Sequence, residues 1–201
     1  TYLNELGLRV NSQARIISSL KAFFRFLIIE EIIIDDPSLL LSAPKSARTL
    51  PVVLSYEQIE KLTAAIDHSK KEGIRNRAII EVLYACGLRV SELTNLKLSN
   101  TYFDIGYVKV RGKGNKERII PIGEEAIKHL KFYIADRNKM SNIKSGSEDI
   151  VFLNRRGGQL TRNMIFIIIK ELSKKAGIKQ KVSPHTFRHT FATHLIEGGA
   201  N

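Results

Sequence analysis

The sequence predicts a mainly α fold with one small antiparallel β-sheet. Two observations carry that expectation. Apolar residues recur at helical spacing through most of the chain, and one stretch switches to strict alternation on either side of a glycine-rich turn. The first helix is expected over residues 11–31. Asn11 can cap it, and Ile16, Leu20, Phe23, Phe24, Leu27 and Ile28 form its apolar stripe, with Arg15, Lys21 and Arg25 off that stripe. Asp35-Asp36-Pro37 ends the region. So few residues surround this helix that its apolar face has little to bury it, and residues 1–43 read as the truncated tail of a helical domain. Residues 44–53 form a linker marked by two prolines, small residues and positive charge. A second domain is expected over 54–201.

In that domain Ser55 caps a helix over 56–68, with Glu57 and Gln58 near its positive end. A helix over 74–86 stops at Gly87, and Ser91 can cap a short helix over 91–97. Residues 107–111 alternate as a strand with Val108 and Val110 on one face. Residues 118–122 give its partner, and 112–115 the turn between them. Helices follow over 124–138 and 161–176, the latter closed by Gly177. Residues 150–153 are expected as a third strand. Ser183 then caps a helix whose first residue, Pro184, suits that position, and Gly198-Gly199 ends it.

Composition narrows the function. Hydrophobic residues make up 43% of 201, enough for a core. The longest apolar runs, Phe26-Leu27-Ile28-Ile29 and Met164-Ile165-Phe166-Ile167-Ile168-Ile169, are far too short to span a bilayer, and no amino-terminal signal pattern is visible. Cys86 stands alone within an apolar helical pattern, so a buried thiol and a reducing, cytoplasmic setting are expected. The formal net charge is +12. Residues 1–43 carry four Lys/Arg against five Asp/Glu, so the whole excess lies in the second segment. A polyanionic partner follows, with nucleic acid the commonest kind. A merely soluble basic surface is the plain alternative.

Three short strings carry the chemistry. Gly87-Leu88-Arg89-Val90-Ser91-Glu92-Leu93 places an arginine on a loop-to-helix corner able to aim into a cleft. Glu92, one turn on, can orient Arg89 or a histidine, or form a plain surface pair. Arg111-Gly112-Lys113-Gly114-Asn115-Lys116-Glu117-Arg118 sets Lys113 on a hairpin tip, where an ammonium can reach a leaving alkoxide or simply be solvated. His185 and Arg188 share one face in the first turns of the last helix, where free backbone N–H groups favour anions and an arginine fork can hold two phosphate oxygens. His185, His189 and His194 also raise a metal site, but no His-Glu-x-x-His pattern accompanies them. No phosphate-binding glycine loop or dinucleotide fingerprint occurs.

In this order, the motifs resemble those of the tyrosine recombinase/phage integrase family, nearest the XerC/XerD type. The resemblance extends to Ser18-Ser19-Leu20-Lys21-Ala22-Phe23-Phe24-Arg25-Phe26-Leu27 and to Leu50-Pro51 through Ser55. It implies a tyrosine-recombinase catalytic domain over 54–201, preceded over 1–43 by the end of a helical, SAM-like core-binding domain. It also implies site-specific DNA strand cleavage and rejoining through a 3′-phosphotyrosine. Arg89 and Arg188 would clamp the scissile phosphate, Lys113 would protonate the 5′-oxygen, His185 would assist proton transfer, and Glu92 would keep the site in order. Lys21, Arg25, Lys116 and Arg118 are the expected DNA contacts. The partner implied is double-stranded DNA, with a tetramer on paired sites for the full-length protein and a monomer for this stretch. No membrane, metal or cofactor is implied, because the phosphotyrosyl link conserves bond energy.

The family's attacking tyrosine follows the His-x-x-Arg helix, and no tyrosine follows Tyr133 here. Tyr56, Tyr84, Tyr102, Tyr107 and Tyr133 fit core or strand positions, so the chain reads as a fragment without its nucleophile. Two other readings stand beside this one. One is a DNA-binding module of the same architecture without catalysis, and the other is a metal-dependent phosphodiesterase.

Overall fold

The computed structural model describes residues 5–44 and 51–199, apart from the side chain of Lys113. Residues 1–50 and 51–201 form two compact units. Much of the expected linker, 45–50, lies outside the described residues.

In the first unit, α1 spans Val10–Ile29. Its cap is Arg9, in extended backbone, and not Asn11. The entry is fixed from inside the helix, where the Gln13 side chain donates to the Leu8 carbonyl at 2.7 Å. Gln13 and Ile17 are the buried positions of α1, while Ile16, Leu20 and Phe23 of the expected stripe remain exposed. The Asp36 carboxylate accepts from the Ser38 backbone N–H at 2.8 Å and the Ser38 hydroxyl at 2.6 Å, a turn that breaks the chain direction after the helix.

The second unit is built around α3, Gly73–Cys86. Its apolar residues run nearly all round: Ala78, Ile79, Ile80, Val82 and Leu83 are fully buried, as a helix enclosed on most sides requires. Helices α5, Glu124–Arg137, and α7, Pro184–Glu197, pack against it. Helix α2, Tyr56–Ala64, lies on α6, Arg162–Lys175, which also touches the short α4, Val90–Thr94. Local signals place the ends. Ser55 and Gln58 close a capping box on α2, Thr161 caps α6 through the Met164 N–H, and Ser183 and Thr186 cap α7 with Pro184 in its first turn.

The sheet has three antiparallel strands in chain order: β1, Thr101–Tyr102; β2, Tyr107–Arg111; and β3, Glu117–Pro121. Val108 pairs with Ile120 and Val110 with Arg118, so these four side chains share the inward face. The third strand is thus Thr101–Tyr102 and not the expected 150–153. Ile150 and Leu153 make single bridges to Lys97 and Gln159, and the Val151 N–H reaches the Leu96 carbonyl at 2.8 Å. Ile150, Val151, Phe152 and Leu153 are all buried, so their apolar run reports enclosure and not a ladder.

Candidate active site

The site forms where the C-terminal end of α3 meets α4, α7 and the β2–β3 hairpin. Gly87 ends α3 in the left-handed conformation, φ +54°. Phe191 of α7 packs so closely on it that a Cβ at Gly87 would lie 2.4 Å from the ring. Arg188, one turn before Phe191, donates from Nη1 to the Gly87 carbonyl at 2.6 Å. A residue with no side chain therefore lets α7 seat Arg188 beside the corner that carries Arg89. Helix α7 is tied down further by Thr190, which is fully buried and accepts from the Leu54 N–H at 3.0 Å.

Arg89, and not the expected Ser91, caps α4, which ends at Thr94, and Glu92 lies in its first turn. The Glu92 carboxylate takes the Arg89 backbone N–H at 2.8 Å and Arg89 Nη1 at 3.0 Å. It also takes both terminal nitrogens of Arg118, each at 2.7 Å. Its side chain is 1% exposed, whereas that of Arg89 is 47% exposed. The Arg89–Glu92 contact is thus the base of a buried cluster and not a solvated surface pair. Burial works to raise the Glu92 carboxyl, but the hydrogen bonds from Arg118 and Arg89 outweigh it and hold the group below its ordinary value. The Arg188 guanidinium is pushed down, first by burial and then by the like charge of Arg89 and, further on, of Arg118, with Glu92 opposing. Three guanidiniums thus gather around one carboxylate, leaving the cluster with excess positive charge. Arg89 borders an adjoining cleft of about 730 Å³ whose walls include Asn95, Lys97, Lys109 and Arg111. An anion with two free oxygens suits this arrangement.

The remaining expected site residues fall as follows. His185 is exposed on the first turn of α7, three residues before Arg188. Lys113 belongs to the turn between β2 and β3, and its side chain lies outside the described residues. The turn needs left-handed backbone, at φ +73° for Gly114 and +61° for Asn115, and the Gly112 N–H closes its neck onto the Lys116 carbonyl at 2.8 Å. Lys21, Arg25 and Lys116 are exposed. Arg118, an expected DNA contact, holds Glu92 with both guanidinium ends and keeps a side chain 36% exposed. Its strand register gave the signal: Arg118 alternates with Ile120 and Ile122 toward the interior, where a guanidinium needs a carboxylate.

His194 lies away from the cluster. Its ring stacks on Tyr56 at 4.2 Å and its Nδ1 is 3.0 Å from the Tyr84 hydroxyl. Tyr133 is buried, stacks on Phe152 and accepts from the Leu153 N–H at 2.9 Å. Tyr102 and Tyr107 oppose one another across β1 and β2. Among the described residues no three His, Cys, Asp or Glu side chains come together as metal ligands, and no helix is long and apolar enough to cross a membrane.

Residues 52–201 match the phage integrase family. The chain is 43% identical over 199 residues to a tyrosine recombinase XerD of Oceanobacillus iheyensis, covering 99% of this chain and 67% of that protein. It thus spans about two thirds of the length of this relative. The crystal structure of XerA recombinase superposes with a TM-score of 0.68 at 32% identity, covering 100% of this chain and 67% of the other. The post-cleavage complex of the XerH site-specific recombinase bound to a palindromic difH substrate gives a TM-score of 0.66 at 27% identity, over 79% of this chain and 46% of the other. By the family match and by the identity to XerD, the chain belongs to the phage integrase family as a XerC/XerD-like tyrosine recombinase.

Proposed function

We propose that this chain supplies the phosphate-binding and proton-transfer machinery of a site-specific recombinase that cuts and rejoins duplex DNA through a 3′-phosphotyrosine. The observation that carries the reading is the cluster of Arg89, Arg118 and Arg188 around the buried Glu92. Arg89 and Arg188 hold the two non-bridging oxygens of the scissile phosphate. As a tyrosine hydroxyl gives up its proton toward His185 and its oxygen bonds to phosphorus, the bond to the 5′-oxygen breaks and the departing oxygen takes a proton from Lys113. The charge that builds on the equatorial oxygens is what the arginines stabilise, an effect of about 10²–10³ in rate for one such donor. His185, one helical turn from Arg188, assists the proton transfers. DNA contacts are assigned to Lys21, Arg25 and Lys116, and the first unit to the end of a core-binding domain. The full-length protein assembles as a tetramer on paired sites in the bacterial cytoplasm, while residues 1–201 alone are monomeric.

The attacking tyrosine is not Tyr56, Tyr84, Tyr102, Tyr107 or Tyr133. Tyr84 and Tyr133 have their hydroxyls engaged by His194 and the Leu153 N–H. Tyr56 stacks on His194, and Tyr102 and Tyr107 face one another on the sheet. Residues 1–201 are therefore expected to bind DNA without forming a covalent adduct. Affinity should fall about a hundredfold or more between roughly 50 and 200 mM salt, as counterion release demands. The test pairs a salt titration with a nicked suicide duplex run on a denaturing gel. A flat titration, or an adduct on any tyrosine of this chain, overturns the reading.

A further inference from the structure

We infer that Arg118 is a positioning residue that seats the Lys113 hairpin on Glu92. It thereby sets the phosphate clamp and the proton donor in one register. Three observations converge. Arg118 meets Glu92 fork to fork, two bonds of 2.7 Å, and the same carboxylate holds Arg89 by its backbone N–H and by Nη1. Arg118 pairs across the sheet with Val110, so its side chain, 36% exposed, leaves the hairpin on the same face as the buried Val110 and Ile120. Gly112, the residue before Lys113, rests on the ion pair itself. A Cβ there would lie 3.1 Å from Arg118 Nη1 and 3.5 Å from Glu92 Oε1, tighter than ordinary contact on one side. The neck is closed just beyond by the Gly112 N–H to Lys116 carbonyl bond, 2.8 Å.

One carboxylate therefore fixes two things. Through Arg89 it aims the clamp, and through Arg118 and Gly112 it holds the root of the loop that carries Lys113. The fork matters, because a lysine at 118 offers a point charge without the paired geometry that fixes the angle between hairpin and helix. A DNA phosphate would compete poorly for the Arg118 fork, since removing it takes two of four hydrogen bonds from a carboxylate that is 1% exposed.

The inference rests on the reading of Lys113 as general acid, and the test separates the two. Amide exchange on residues 1–201 reads the seating alone. In Arg118→Met the Gly112 amide should exchange at least about tenfold faster while the amides of α3 keep their protection. An unchanged Gly112 amide, or equal acceleration throughout the unit, overturns the inference whatever Lys113 does. Single-turnover cleavage by the full-length protein then reads the consequence. Arg118→Met and Lys113→Ala should each lose roughly 10²-fold on a 5′-oxygen substrate, and a 5′-bridging sulfur, which leaves without an acid, should restore most of both losses. Arg118→Lys should fall between Arg118→Met and the parent. If sulfur rescues Lys113→Ala but not Arg118→Met, Arg118 acts elsewhere and the inference fails. If sulfur rescues neither, the acid role of Lys113 fails, and the exchange of the Gly112 amide decides the seating.

Discussion

The two ends of α3 each gather arginines, and they use them in opposite ways. At the N-terminal end, Arg75 and Arg137 line a cleft of about 960 Å³ but are themselves buried, 9% and 3% exposed. Their donors are occupied by backbone carbonyls and by the neighbouring Asn76 and Asn138 side chains. Arg137 gives Nε to the Ile150 carbonyl at 2.9 Å and Nη2 to the Ser147 and Glu148 carbonyls, and Arg75 gives Nη1 to the Leu153 carbonyl. At the C-terminal end, Arg89 has one guanidinium nitrogen on Glu92 and a side chain half exposed, and Arg188 has one on Gly87. The first pair staples the irregular 147–153 segment to the helices, since buried carbonyls need donors. Among the described residues the second pair is anchored at one guanidinium nitrogen each, and in the proposed function the others are left for a phosphate. Residue type is the same, and what separates structure from function is how many donors the protein itself has already engaged.

That contrast can be broken by substitution. The largest effect is expected at the open end. In the full-length protein, Arg89→Ala and Arg188→Ala should each lower cleavage of a suicide duplex by about 10²–10³ or more while most DNA affinity remains. Single-turnover rates and a binding titration check this, and cleavage at the parent rate would make that arginine structural. At the closed end, Arg137→Met should instead lower stability by about 2–3 kcal/mol, because it leaves buried carbonyls without donors. Urea unfolding reads it, with DNA affinity expected to change little where the protein remains folded.

Glu92 gives a pH test of the open end. Its carboxyl is held below its ordinary value of 4.5, so it binds a proton less readily folded than unfolded. Its contribution to stability is therefore complete above that ordinary value and is lost as pH falls through the depressed one. The stability difference between the parent and Glu92→Gln should be largest near neutral pH and shrink toward zero in acid. A difference independent of pH would remove the charge of Glu92 from the explanation. The smallest effect concerns Cys86, whose thiol burial pushes up to about 12. It should stay unreacted with a thiol reagent at pH 8 while the protein is folded and react on unfolding.

The sequence made the local devices plain. Ser55 with Gln58, Thr161, Ser183 with Pro184, and Gly87 as a helix stop all act within a few residues, so spacing alone exposes them. The short strings that hold Arg89 and Arg188 were legible one by one, and the structure brings them together through the Gly87 carbonyl. Other features were not legible, because spacing alone does not expose them. The 150–153 run looked like a strand because period and apolarity cannot distinguish pairing from enclosure. Asn11 looked like a cap because the bond from Gln13 to the Leu8 carbonyl could not be foreseen. The bond from Arg118 to Glu92 was hidden because the carboxylate lies 26 positions earlier in the chain, on another element. The alternation of Arg118 with Ile120 and Ile122 pointed toward the interior, where a guanidinium finds a buried acid to pair with.

The most direct measurement follows the arginine Nε–H signals of residues 1–201 by NMR while orthovanadate, a phosphate-like anion, is added. The signals of Arg89 and Arg188 should shift together along one saturable curve, while those of Arg75 and Arg137 stay fixed. If Arg89 and Arg188 remain still, or if the buried pair moves with them, donor availability does not set these arginines apart and the phosphate clamp is wrongly placed.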